Sequence, residues 1–215
     1  MTNNDVELSS KEYVVQLERA KLLFRGLKTK YGTSMFNRNR EIVQNLYTFS
    51  HDLPRGIVLS GLYYQLHPSY RHKVGKDATE LLRHVDKLSD ASGDLREYLD
   101  VLTSQKLRPG ALLIHAASAL SALADPNVTK EEKQRIGKIA LEIHAPLFAS
   151  LGLHWASQRL GNEGLKHGYP EQHSGIVASL KKGEQKFEKI MPVVRAAIRE
   201  EADKIGSHYE TDERI

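Results

Sequence analysis

The stretch Leu141-Glu142-Ile143-His144-Ala145-Pro146-Leu147-Phe148-Ala149-Ser150-Leu151-Gly152-Leu153 sets an apolar helical run against a proline at its middle and a Leu-Gly stop. An apolar helix interrupted by Ala-Pro-Leu and then Leu-Gly is an uncommon pattern, and its neighbours on both sides are helical too. Upstream, Thr129 caps a helix whose first turn carries Glu131 and Glu132, complementing the dipole, and that helix runs into Ala145-Pro146. Further back, Arg108-Pro109-Gly110 opens a strongly apolar helix, Ala111 to Ala124, which reads as the central buried one. Downstream, a long last helix over 175–208 carries Ile176, Leu180, Phe187, Ile190, Met191, Val194, Ile198 and Ile205 on one face. Pro192 falls inside it and is expected to kink or break it.

The N-terminal third follows the same period. Ser9-Ser10 caps a first helix that Gly32 ends, a second covers about 36–49, and a third about 55–66 is closed by His67-Pro68. Two amphipathic helices flank Ser89 to Gly93. Strand signals are nearly absent, so the expected class is all-α, a multi-helix bundle with a long C-terminal helix. No internal repeat or low-complexity linker divides the 215 residues, and 1–215 reads as one domain.

Composition narrows the chemistry. There is no cysteine, which excludes disulfides, zinc ribbons and thiol nucleophiles. The polar first ten residues do not resemble a signal peptide, and no apolar run approaches the roughly 18 residues that span a bilayer. The expectation is a cytoplasmic protein without a membrane partner. The net charge of +4, from 31 basic and 27 acidic residues, is spread along the chain rather than gathered in one patch, which argues against nucleic acid.

The 141–153 stretch resembles the E-I-Y-A-P-L-A-x-R-L-G-I segment that closes the hydrolase domain of RelA/SpoT alarmone synthetase–hydrolases. Arg159 to Glu163 sits where that family has W-E-L-E-D, and Tyr169-Pro170 where it has Y-L-x-P. Leu112 to Ala117 resembles its V-L-I-K-L-A, Arg96 to Leu99 its R-K-M-L, Val85 to Ser89 its G-V-T-K-L-S, and Lys30-Tyr31-Gly32 its K-S-G. The likeness covers about 20–175 and is firmest over 107–170. It implies a bundle of the HD superfamily built around manganese, and removal of the 3′-pyrophosphate from guanosine tetra- or pentaphosphate.

That reaction requires a divalent metal to polarise the phosphate and acidify the attacking water, held by two histidines and two aspartates. At the matching positions this chain has Arg38 (or, one residue earlier, Asn37), then Tyr64-Gln65 for the H-D doublet and Ser118 for the aspartate. The later E-D pair falls on Pro68-Ser69 and the asparagine on Ala122. The resemblance therefore implies a degenerate site with no metal, no cofactor and no catalytic residue. Arg38 places a positive charge where the metal stands in the family.

No other ligand set replaces it. His51-Asp52 precedes Pro54 in a loop, His67 and His72 straddle a proline, and His84 lies on an amphipathic helix. His115 reads as a core-edge residue, His144 as a packing residue, and His154, His167 and His173 lack ligand spacing. Ser60, Ser118 and Ser121 sit in helices without a nucleophile elbow, and no Gly-rich phosphate loop is present. The small residues Ala117 to Ala122 read as close helix packing. The functional expectation is an inactive hydrolase-like domain, a regulatory or protein-interaction module in alarmone signalling. It would meet a protein partner, by default a second copy of itself through the C-terminal helix. The alternatives are a retained guanine-nucleotide pocket using Lys28, Lys30 and Arg38, or a metal-dependent pyrophosphohydrolase with rearranged ligands.

Overall fold

The structure, a computed structural model, describes residues 8–92, 94–103 and 107–205. The chain divides into two compact units, Met1–Pro170 and Glu171–Ile215. Among the described residues helices dominate and no strand forms; one isolated bridge joins Lys28 to Ser34. The first unit comprises α1 (Ser10–Leu23), α2 (Met35–Phe49), α3 (Arg55–Leu62), a 3₁₀ segment (Pro68–Val74), α4 (Lys76–Ala91), α5 (Leu95–Thr103), α6 (Pro109–Ala124), α7 (Lys130–Ile139), a π turn (Ala140–His144), α8 (Ala145–Ser150) and α9 (His154–Gly168). The all-α class expected from periodicity is what the structure shows.

Side-chain caps explain several of the helix starts. Ser9, Ser34 and Thr129 each accept a hydrogen bond from the backbone N–H three residues on, satisfying a donor that the first helical turn leaves open. Two helices end earlier than the sequence suggested. α1 stops at Leu23 rather than at Gly32, because the chain turns through Gly26 at φ +76° and Leu27 N–H donates to the Phe24 carbonyl. The Leu27–Met35 loop that follows closes on its own backbone, with Thr29 N–H donating to the Thr33 carbonyl. α3 stops at Leu62 rather than at Leu66, since Asn39 on α2 donates from Nδ2 to both the Leu62 and Tyr64 carbonyls. That clamp bends the chain sharply and leaves Gln65 at φ +63°, a left-handed conformation that costs a side-chain-bearing residue about 1–2 kcal/mol.

α6 is the axis of the first unit. Every residue from Ile114 to Leu123 is buried, so the helix is wrapped on all sides. α2, α3, α4, α7 and α9 all touch it. Its small side chains let these neighbours approach closely, as the run from Ala117 to Ala122 indicated. A second close approach was not legible beforehand: α7 crosses α9 at Gly137, Gly164 and Gly168. A Cβ on Gly137 would lie 2.5 Å from the Gly168 nitrogen, and one on Gly164 would lie 2.7 Å from the Leu141 nitrogen.

Pro146 does not interrupt the helical path. It lacks the N–H that the Glu142 carbonyl would accept, and the chain answers by widening into the π turn, in which Ala145 N–H reaches back to Ala140. α8 then continues directly. The second unit is described through α10 (Pro170–Ile205), a 36-residue helix about 54 Å long at 1.5 Å per residue. Its expected end at 208 lies outside the described residues. Pro192 sits inside α10 without breaking it: a proline removes one ladder bond, and the helix continues on both sides. Ile176, Leu180, Phe187, Ile190, Val194 and Ile198 are all exposed. No helix among the described residues is long and apolar enough to cross a membrane.

Candidate functional site

Arg38 on α2, Tyr64 and Gln65 in the turn after α3, and Ser118 on α6 line one cavity of about 150 Å³. Residues 80 positions apart in sequence meet there because α2 and the α3 turn both pack on α6. Lys30 also lines it, from the α1–α2 loop. Lys28 does not: it is exposed on that loop, where its backbone bridges Ser34.

Arg38 has the least ordinary surroundings. Its side chain is 7 % exposed, its Nη1 lies 3.8 Å from Asp125 Oδ2, and its guanidinium sits 5.8 Å from the Tyr31 ring centroid. At 3.8 Å the charges attract without forming a hydrogen bond. Nε and Nη1 are both buried with no hydrogen-bond partner. Asp125 is meanwhile committed elsewhere, accepting from Thr33 Oγ1 at 2.5 Å and from Asn127 N–H at 2.9 Å.

His115 and His144 also line the cavity, and Tyr98 joins them in a buried cluster. Tyr98 Oη lies 2.6 Å from His144 Nε2 and 2.9 Å from His115 Nδ1, and the two ring nitrogens are 3.5 Å apart. One phenol hydrogen serves two imidazoles, so Tyr98 donates to one ring and accepts from the other. The arrangement in which it donates to His115 leaves the buried His144 Nδ1 as a bare acceptor; the reverse leaves it as a buried orphan N–H. Burial holds both rings neutral. His115 is pushed down to about 4, with Arg135 adding repulsion, and His144 is lowered well below the usual histidine value. Burial likewise raises the Tyr98 phenol. The π turn presents His144, and α6 presents His115 one turn before Ser118, whose Oγ donates to the His115 carbonyl at 2.8 Å.

At the mouth, Glu132 gathers donors. Arg135 approaches it at 2.9 and 3.0 Å, Tyr31 Oη at 2.8 Å and Lys30 Nζ at 3.3 Å. The Arg135 hydrogen bonds, more than any other influence, hold its carboxyl down at about 2. Arg135 Nη1 also donates to the Ser92 carbonyl. Beside this cavity lies a larger one of about 1010 Å³ that shares Tyr64, Gln65 and Ser89 with it. Its wall is apolar at Leu23, Phe24, Leu27 and Met35, and polar at Arg71, which is held by Asp86 through two hydrogen bonds of 2.5 and 3.0 Å.

A divalent cation does not fit the smaller cavity. A buried guanidinium lines it, both nearby carboxylates are engaged by other donors, and the two imidazoles are tied through Nδ1 or Nε2 to one phenol. Among the described residues no group of three or more histidine, aspartate or glutamate side chains is arranged to hold a metal. Sequence reasoning took His115 and His144 for separate packing residues, and it missed Tyr98, Glu132 and Arg135. The Tyr98, His115 and His144 grouping depends on contacts 17 to 46 residues apart, and Glu132 meets Tyr31 across 101, separations that local spacing does not encode. No protein-family model and no curated protein sequence matches the chain.

Proposed function

We propose that this chain is a hydrolase-like domain of the RelA/SpoT kind that has exchanged metal chemistry for binding, a regulatory module of alarmone signalling. One observation carries the reading: Arg38, Tyr64, Gln65 and Ser118, the positions that the resemblance equates with the four metal ligands, line one cavity. Convergence from separate elements supports the alignment, since unrelated positions have no reason to meet. The side chains supply a fixed positive charge where catalysis of that kind needs a metal and an ionised water.

The retained-nucleotide reading is the second, favoured by the apolar cavity that opens onto the first at Tyr64, Gln65 and Ser89. A space of that size is within the range that accepts a nucleoside. For a protein partner, α10 offers Ile176, Leu180, Gly183, Phe187, Ile190, Val194 and Ala197 at alternating intervals of four and three, the spacing of a coiled-coil seam. By default the partner is a second copy of this chain.

Metal analysis and thermal denaturation test the proposal together. Purified protein should carry no stoichiometric manganese or zinc; a melting temperature that guanosine tetraphosphate raises, with or without chelator, selects the nucleotide reading over the protein-partner one, by mass action on the folded state. One metal ion per chain whose removal abolishes the effect would overturn it.

A further inference from the structure

The unpaired Arg38 nitrogens raise a question independent of any family. Two buried N–H donors without acceptors carry the full desolvation cost of an unmade hydrogen bond. An isolated buried cation is tolerated only when something offsets it. Asp125 offsets the charge of Arg38 but accepts none of its hydrogen bonds, being turned to Thr33 and Asn127. Counting Lys30, Arg38 and Arg135 against Glu132 and Asp125, the cavity wall keeps a net charge of +1.

The other polar groups are donors or can become so. Lys30 Nζ lies at the rim, donating to Glu132 and set against Tyr31. His115 is bound at Nδ1, which leaves Nε2 as the nitrogen available to the cavity. If Tyr98 donates to His115, the arrangement that avoids an orphan N–H on His144, that Nε2 carries the hydrogen. The Gln65 amide adds two more hydrogens. Glu132 is the opposing group, and its charge is spread over Arg135, Tyr31 and Lys30.

We propose that the cavity bounded by Arg38, Lys30, Gln65, His115 and Ser118 is a binding site for a phosphate-class tetrahedral oxyanion, with the Arg38 guanidinium as its principal donor. Arginine is the side chain best suited to such an ion, and residues from α2, α6 and two loops line the cavity that would hold it. The size is selective. At about 150 Å³ the cavity falls below the range of ordinary small-molecule sites, with room for a phosphate or the terminal phosphate of a larger molecule but not for a nucleoside. The site rests on cavity geometry alone, so it stands or falls separately from the alarmone reading.

The test is isothermal titration of the full chain in chelator, with inorganic phosphate, pyrophosphate or guanosine 5′-diphosphate, against chloride at matched ionic strength. The wild type should bind one phosphate or pyrophosphate per chain. Arg38→Met alone would strand the buried Asp125, so the variant is Arg38→Met with Asp125→Asn, its fold checked by circular dichroism. It should bind at least tenfold more weakly. Gln65→Ala, away from the ion pair, should weaken binding less. Preference for inorganic phosphate identifies a free ion; preference for the nucleotide, lost equally in the double variant, identifies a terminal phosphate. No heat beyond the chloride control, or affinity unchanged in the folded double variant, overturns the site.

Discussion

Gln65 holds a left-handed backbone because Asn39 pins the carbonyls on either side of the turn, and its side chain faces both cavities. Gln65→Gly removes the Cβ conflict and should raise stability by about 1 kcal/mol in urea denaturation, while weakening any anion bound there. The buried histidines predict a pH dependence of definite sign. Unfolded, they protonate near 6.5; folded, His115 stays neutral to about 4 and His144 lower still. Between those values the unfolded chain binds more protons, so stability falls as pH drops through that window, by about 3 kcal/mol from His115 alone at pH 4. Glu132, held at about 2 instead of 4.5, adds a further loss as pH falls below the ordinary glutamate range. Urea midpoints at pH 7.5, 6 and 4.5 measure this, and a flat profile down to 4.5 would show that the pair is not buried neutral. At this scale the sequence was partly legible. Arg38, Tyr64, Gln65 and Ser118 were named from it, whereas the Tyr98–His115–His144 cluster was not, because an imidazole's partners are chosen by tertiary packing and not by spacing.

The helices themselves were the most readable part, since polar caps and apolar periodicity are local signals. Ends set by distant residues were not: Asn39 terminates α3 from another helix, and no property of Tyr63 or Tyr64 announces it. The π turn was hidden for a related reason, because a proline within an apolar run can stop a helix or widen it, and local sequence does not say which. Glycines were equally ambiguous until the α7–α9 crossing was seen. Gly164→Ala should destabilise the fold by about 1–3 kcal/mol by pressing a methyl group on backbone atoms, while Gly175→Ala, with nothing within 4 Å of its Cβ, should gain up to about 1 kcal/mol from helix propensity. Equal effects in thermal melts would contradict the close crossing. Pro192→Ala should restore one ladder bond to α10 and stabilise that helix by up to about 3 kcal/mol, seen as helicity persisting to higher temperature.

At the scale of the whole molecule, the apolar seam of α10 is a long exposed stripe of the kind that marks an association surface. Val194→Asp with Ile198→Asp should convert an oligomer to monomer in light scattering with helical content intact; a wild type already monomeric removes self-association from the account. The larger claim is that a hydrolase-like architecture here serves binding and not turnover, and it is tested most directly by incubating the full chain with guanosine tetraphosphate and manganese and measuring released pyrophosphate. The account predicts none above the protein-free control, with the nucleotide recovered intact. Sustained release that a chelator stops would contradict it.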